Sequence, residues 1–125
     1  MITLDFTPAE IEKCRDRILS ALSLSRKAGK CVTGTDMCTE NVRNNTAKLV
    51  IYANDLSDNT LKRIKDSTSY HKVQTIMLNV TKDELGARLG KTSGVSCAAI
   101  LDEGFVKIIE KIYAEIHTES TEVQQ

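Results

Sequence analysis

The chain has 125 residues, 41% of them apolar, which is enough for one globular domain with a sizeable core. No apolar run approaches the ~18 residues of a membrane span, and the acidic N-terminus lacks the apolar segment of a secretion signal, so a cytoplasmic protein is expected. Seventeen Lys and Arg balance seventeen Asp and Glu. Every base lies between Lys13 and Lys111, whereas Asp5, Glu10, Glu12, Glu115, Glu119 and Glu122 fall outside that span. A basic body between acidic ends is compatible with RNA despite the zero net charge.

Thr7-Pro8-Ala9-Glu10 opens the first helix: Thr7 can cap, Pro8 suits the first helical position, and Glu10 closes a capping box. Ile11, Cys14, Ile18, Leu22 and Ser25 share one face, with Leu19 beside them. That helix is expected to run to about Lys27 and to stop at Gly29. The stretch A-G-K-C-V-T-G-T-D at 28–36 then packs a helix stop, a short strand and a new helix start into nine residues. Gly34 permits close backbone approach, and Thr35 or Asp36 can cap the next helix. A helix N-terminus behind a glycine, with Arg26, Lys27 and Lys30 nearby, is the chemistry of an anion site, and RNA phosphate is the expected anion.

The second helix is expected from about Asp36 to Asn44, carrying Met37, Cys38 and Val42. Residues 47–53, nearly all apolar and β-branched in part, read as a central buried strand that turns at Asn54-Asp55. Ser57 or Asp58 caps a helix through Leu61, Ile64 and Lys65, and Val73 to Leu78 forms the next strand. Thr81 to Glu84 is a second capping box, opening a short helix that Gly90 ends. Gly94 to Leu101 is the last strand, followed by a helix capped by Asp102 with a stripe of Phe105, Ile108, Ile109, Ile112 and Ile116. Residues 1–117 are thus expected to form one domain, and 118–125 a polar, disordered tail. The alternation predicts an α/β fold, a three-layer α/β/α sandwich around a four-stranded mixed sheet.

Few residues suggest catalysis. Gly86 to Thr92 invites a P-loop reading, but three residues rather than four separate Gly86 from the Gly90-Lys91-Thr92 run. The segment also follows a helix and leads into a strand, the reverse of a P-loop. Cys14, Cys31, Cys38 and Cys97 fit no zinc template, and His71 and His117 stand alone, so no metal or cofactor is expected. No nucleophile–base set assembles, and a binding protein is favoured over an enzyme. Three segments can meet at one sheet end: the Gly34-Thr35 turn, the Asn54-Asp55 turn, and the Gly90 to Ser96 loop with Lys91 and Val95. Ordinary turns would account for them too. Together, though, they carry the backbone, polar and apolar groups that read bulged RNA.

Four segments in register carry a family likeness: L-S-R-K-A-G-K-C-V-T-G at 24–34, A-K-L-V-I-Y-A-N-D at 47–55, E-L-G-A-R-L-G-K at 84–91 and A-A-I-L-D-E-G-F at 98–105. The chain resembles the kink-turn RNA-binding ribosomal proteins, the L-seven-Ae and L-thirty-e superfamily, in particular its small bacterial YlxQ-type members. The resemblance spans about residues 14–112. It implies the same sandwich, no catalysis, no cofactor, and structured RNA as partner, either a kink-turn or ribosomal RNA, with the ribosome as a further partner. It implies that Gly34, Thr35 and the helix after them dock into RNA, and that the Gly90 to Ser96 loop contacts a flipped nucleotide through Val95. Lys30 and Lys91 would meet phosphates. The signature differs in this chain: Asp36 stands where the family has Asn, Met37 where it has Glu, and Glu40 where it has Lys. Asp36 is a candidate to supply the acceptor and Arg43 the missing cation. The alternative is a protein-interaction module on the same fold, with RNA binding weakened or lost.

Overall fold

The computed structural model describes residues 4–124, with side chains described through residue 117. The elements run α1 (Pro8–Lys27), β1 (Cys31–Thr33), α2 (Thr35–Arg43), β2 (Leu49–Tyr52), α3 (Asp58–Tyr70), β3 (Gln74–Met77), α4 (Lys82–Arg88), β4 (Cys97–Ile100) and α5 (Glu103–Gln124). Local chemistry accounts for the helix starts. Thr7 and Thr81 each form a complete capping box, and the Ser57 hydroxyl accepts the Thr60 N–H.

The four strands form one mixed sheet in the order β1-β4-β2-β3. β4 is antiparallel to both β1 and β2, whereas β2 and β3 are parallel. Successive residues of a strand face opposite ways, so one strand feeds two cores. Leu49, Ile51, Ile76, Ala98 and Ile100 pack with Ile18 and Leu22 of α1, Leu85 of α4 and Ile109 of α5. Val50, Tyr52, Cys97 and Ala99 pack with Cys38 and Val42 of α2 and Ile64 of α3. Burial on both faces is why β2 and β4 read as unbroken apolar runs. The molecule is an α/β/α sandwich.

Three expectations change. α2 starts one residue early: Gly34 is its N-cap, so neither Thr35 nor Asp36 caps it. On α5, Val106, Ile109, Ile112 and Ile116 are buried, while Ile108 is 42% exposed. Ile108 lies about 100° around the helix from Ile109, which turns it off the sheet-facing side. The α5 backbone continues helical through residues 118–124, expected as a disordered tail. Extending a helix already anchored by packing avoids a new nucleation cost. Residues 1–3 and Gln125, which the expected domain and tail include, lie outside the described residues.

This arrangement predicts a contrast on one helix. Ile109→Ala should lower the unfolding free energy by about 2–5 kcal/mol through the cavity it leaves. Ile108→Ala should stay within about 0.5 kcal/mol. Urea unfolding midpoints measure both; equal losses would contradict the assigned face.

Candidate nucleic-acid interface

β1, β2 and β3 all end, and β4 begins, at one end of the sheet. There the chain leaves β1 through Gly34, whose φ of +93° is costly for any residue with a side chain. The Gly34 N–H donates to the Cys97 carbonyl at 2.9 Å, and the Ala53 N–H to the Ser96 carbonyl at 3.0 Å. The first bond pins the start of α2 against the start of β4, and the second ties the end of β2 to the same place. The hydroxyls of Thr35 and Ser96 lie 2.7 Å apart and reinforce the junction. Because Gly34 has no side chain, the first turn of α2 carries no side-chain cap. Its N-terminal N–H groups keep the partial positive charge of a helix start.

Two shallow depressions flank this turn. One, of about 640 Å³, is lined by Arg26, Lys27, Cys31, Val32, Thr33, Met37 and Lys91. Lys91 reaches it from the loop after α4, whose turn uses Gly90 at φ +74°. The Lys91 N–H is fixed to the Gly86 carbonyl at 2.8 Å. Met37 is 46% exposed at its border. The other depression, of about 400 Å³, is lined by Thr35, Asp36, Asn59, Thr60 and Arg63. The Arg63 guanidinium meets the Asp36 carboxylate at 2.7 Å. The surface around α2 is therefore cationic on one side and polar, with a tethered arginine, on the other.

The structure sorts the residues singled out in the sequence. Gly34, Thr35, Asp36, Met37, Lys91 and Ser96 come together around the first turn of α2. Glu40 is exposed about one turn further along the helix. Asn54 and Asp55 sit at the same sheet end but are engaged elsewhere. The Asn54 amide donates to the Asn79 side-chain oxygen at 2.7 Å, and the Asp55 carboxylate accepts the Lys82 N–H at 2.9 Å. Lys30 lies at the opposite end of β1, its carbonyl bonded to the Leu101 N–H. Four residues of extended chain put it about 13 Å from Gly34. Of the three cations expected near this turn, Arg26 and Lys27 line the depression and Lys30 does not. Val95, expected to touch a base, is 5% exposed and belongs to the larger core. Its N–H bonds to the Lys82 carbonyl at 3.0 Å, which draws the loop inward over α4. Arg63 was not singled out, because nothing in its local sequence announces that α3 lies beside α2.

Beneath the junction lie two thiols, Cys38 and Cys97, while Cys31 packs on the other face of the sheet. The Ser96 hydroxyl donates to the Cys97 sulfur at 3.7 Å, and the Cys38 thiol donates to the Val32 carbonyl at 3.8 Å. A hydrogen bond with Cys97, then burial, pushes the Cys38 thiol well up. Burial likewise pushes Cys31 up. A maleimide at pH 8 should therefore leave Cys38 unlabelled in the folded protein and label it after denaturation. Rapid native labelling of Cys38 would show that this junction opens. Among the described residues no cluster of His, Cys, Asp and Glu is arranged to hold a metal, and no helix is long and apolar enough to cross a membrane.

The chain is similar to known proteins along most of its length. It is 37% identical over 93 residues to RNA-binding protein YlxQ of Enterococcus faecium, covering 74% of this chain and 87% of that one. It is 33% identical over 101 residues to large ribosomal subunit protein eL30 of Euphorbia esula, covering 81% and 90%. In structure it matches a Giardia lamblia 15.5kD RNA binding protein with a TM-score of 0.69, covering 85% and 89% at 14% identity, which is a likeness of fold. The model of the ribosomal protein L7Ae/L30e/S12e/Gadd45 family matches residues 16–110, and this chain belongs to that family.

Proposed function

We propose that this chain is a cytoplasmic, non-catalytic RNA-binding protein. Its target is a structured RNA, a kink-turn standing alone or within ribosomal RNA, and it docks the first turn of α2 into that RNA. One observation carries the reading: a helix N-terminus without a side-chain cap, exposed between Arg26, Lys27 and Lys91 on one side and Arg63 on the other. Phosphate oxygens take backbone N–H groups at such a turn, and the flanking bases add a sequence-independent attraction. The relatives named RNA-binding and ribosomal proteins support it. Lys91 and the Thr35-Asp36 backbone meet phosphates. Met37, in place of the buried Val95, offers the apolar contact to a splayed nucleotide.

A titration of a kink-turn RNA and a straight duplex of equal length, at two salt concentrations, tests this. The expected result is tighter binding to the kinked RNA, weakening steeply with salt. Equal binding to both RNAs would reduce the surface to a generic basic one. No binding at low salt would overturn the proposal. It would favour the protein-interaction reading, which the exposed Met37 and Glu40 on α2 motivate.

A further inference from the structure

We infer that β3 is a docking edge for a second copy of this chain, two β3 strands pairing antiparallel about a twofold axis at Ile76. β3 is an outer strand of the sheet, bonded to β2 alone. The Leu78 N–H donates to the Tyr52 carbonyl at 3.0 Å, so the backbone of Leu78 faces β2. Backbone groups point to alternate sides along a strand, so those of Thr75 and Met77 face outward. Among the described residues no backbone group meets them there. Beside them runs a groove of about 400 Å³, lined by Leu4, Phe6, Pro8, Ile11 and β3 itself, and Met77 is 47% exposed. Residues 74–77 include no charged residue and no proline, the devices that commonly keep a sheet edge from pairing.

Geometry and charge together select a second copy. With Ile76 opposite Ile76, Thr75 of each copy lies opposite Met77 of the other, and these outward-facing pairs exchange N–H and C=O bonds in both directions. The same register sets Val73 opposite Asn79. Lys72 adjoins Val73, and the Glu12 carboxylate accepts the Asn79 amide at 3.0 Å. Lys72 of one copy therefore comes to Glu12 of the other. Asp5 follows Leu4, whose N–H donates to the Gln74 side chain, and Arg15 donates to the Asn79 carbonyl at 3.3 Å. Asp5 of one copy likewise comes to Arg15 of the other. Glu12 and Arg15 already lie 3.3 Å apart and stay partly exposed, so the new partners extend an existing ion pair. The symmetry forms each contact on both sides. β1, the other edge, stands beside Arg26, Lys27 and Lys91, where two copies would repel. β3 lies three strand spacings, about 14 Å, from β1, so pairing leaves the cationic depression open. One strand pair with its flanks makes a small interface, and the association is accordingly weak and concentration-dependent.

The test is equilibrium sedimentation of the full chain, without RNA, from low to high micromolar concentration. Wild type, Thr75→Pro, Lys72→Glu, Glu12→Lys and the Lys72→Glu, Glu12→Lys double variant are compared, with a thermal melt of each as a folding control. Wild type should pass from monomer to dimer as its concentration rises. Proline at 75 removes an N–H that no strand of its own copy uses, so Thr75→Pro should stay folded. It should raise the dimer dissociation constant by about tenfold or more. Each single charge reversal should raise it by about threefold or more, and the double variant should return to within about twofold of wild type. That rescue does not depend on how well Thr75→Pro folds. The Thr75 and Met77 amides should exchange freely in the monomer and become protected in the dimer. A wild type that stays monomeric throughout would overturn the inference and leave this edge to a foreign strand. Protection of those two amides in the monomer would show the chain covering its own edge, and would overturn it too. A dimer indifferent to Thr75→Pro and to both charge reversals would join through another surface, with the same consequence. None of these outcomes bears on the RNA-binding reading, because no RNA is present.

Discussion

Replacing Gly86 by alanine is expected to destabilise the protein and to disturb the proposed RNA-binding surface together. Gly86 is buried in α4, and a Cβ there would stand 2.3 Å from the Ser93 carbonyl oxygen. Glycine inside a helix normally costs about 1 kcal/mol relative to alanine, so on helical propensity alone the substitution should stabilise. The clash outweighs that gain because the obstructing atom is backbone, and it can recede only if the loop of residues 90–96 moves. Overpacking of this kind costs about 1–3 kcal/mol. The loop that moves carries Lys91 and holds the Ser96 hydroxyl against Thr35. RNA affinity should therefore fall more than the loss of stability alone would cause, measured well below the unfolding transition. Gly104→Ala is the matched control. Its Cβ would meet the Asp102 carboxylate at 2.9 Å, the mobile end of a side chain that can swing aside. It should leave stability within about 1 kcal/mol of wild type or raise it, with unchanged RNA affinity. If Gly86→Ala melts and binds like wild type, the loop is not pressed against α4 as the structure has it.

Gly86 also shows where the residues of this chain speak for themselves and where they do not. The capping boxes at Thr7 and Thr81 and the apolar runs of β2 and β4 act through neighbours in the chain, and the sandwich could be read from them. Gly86 looked like a fragment of a nucleotide loop, and its packing role depends on Ser93, seven residues on in a segment with no periodicity. Val95 looked like a base contact because it is a lone apolar residue in a polar loop. The same pattern arises when such a loop drops one side chain into the core, as here. Lys30 adjoins Gly34 in the chain and is separated from it by the length of β1. Arg26 and Lys27, further away in sequence, line the depression beside the α2 turn, and Lys30 does not. Arg63 could not be found without knowing that α2 and α3 share a layer, a relation set by Val42 and Ile64 packing under the sheet.

That difference between chain distance and spatial distance leads to the sharpest functional test. Neutralising the cationic depression with Arg26→Gln, Lys27→Gln and Lys91→Gln together is expected to reduce RNA affinity by on the order of a hundred-fold near 0.05 M salt. If all three meet phosphate, the slope of log K against log salt should become shallower by about two to three, since each lost contact releases close to one counterion fewer. The fold should survive. Arg26 and Lys27 lie in the last turn of α1, where each favours the helix dipole by about 0.3–1 kcal/mol, and Lys91 is exposed in a loop. The combined loss of about 1–2 kcal/mol is small enough to measure binding on folded protein. Lys30→Gln removes one charge from the same short segment of chain, yet should change affinity by less than about threefold, because Lys30 does not line the depression and a charge without a direct phosphate contact is screened by salt. Were Lys30→Gln to cost as much as any of the three, RNA would have to cross the far end of β1, and docking through the first turn of α2 would be wrong. Were the triple variant to keep its salt slope, the cations beside Met37 would not be meeting phosphate at all.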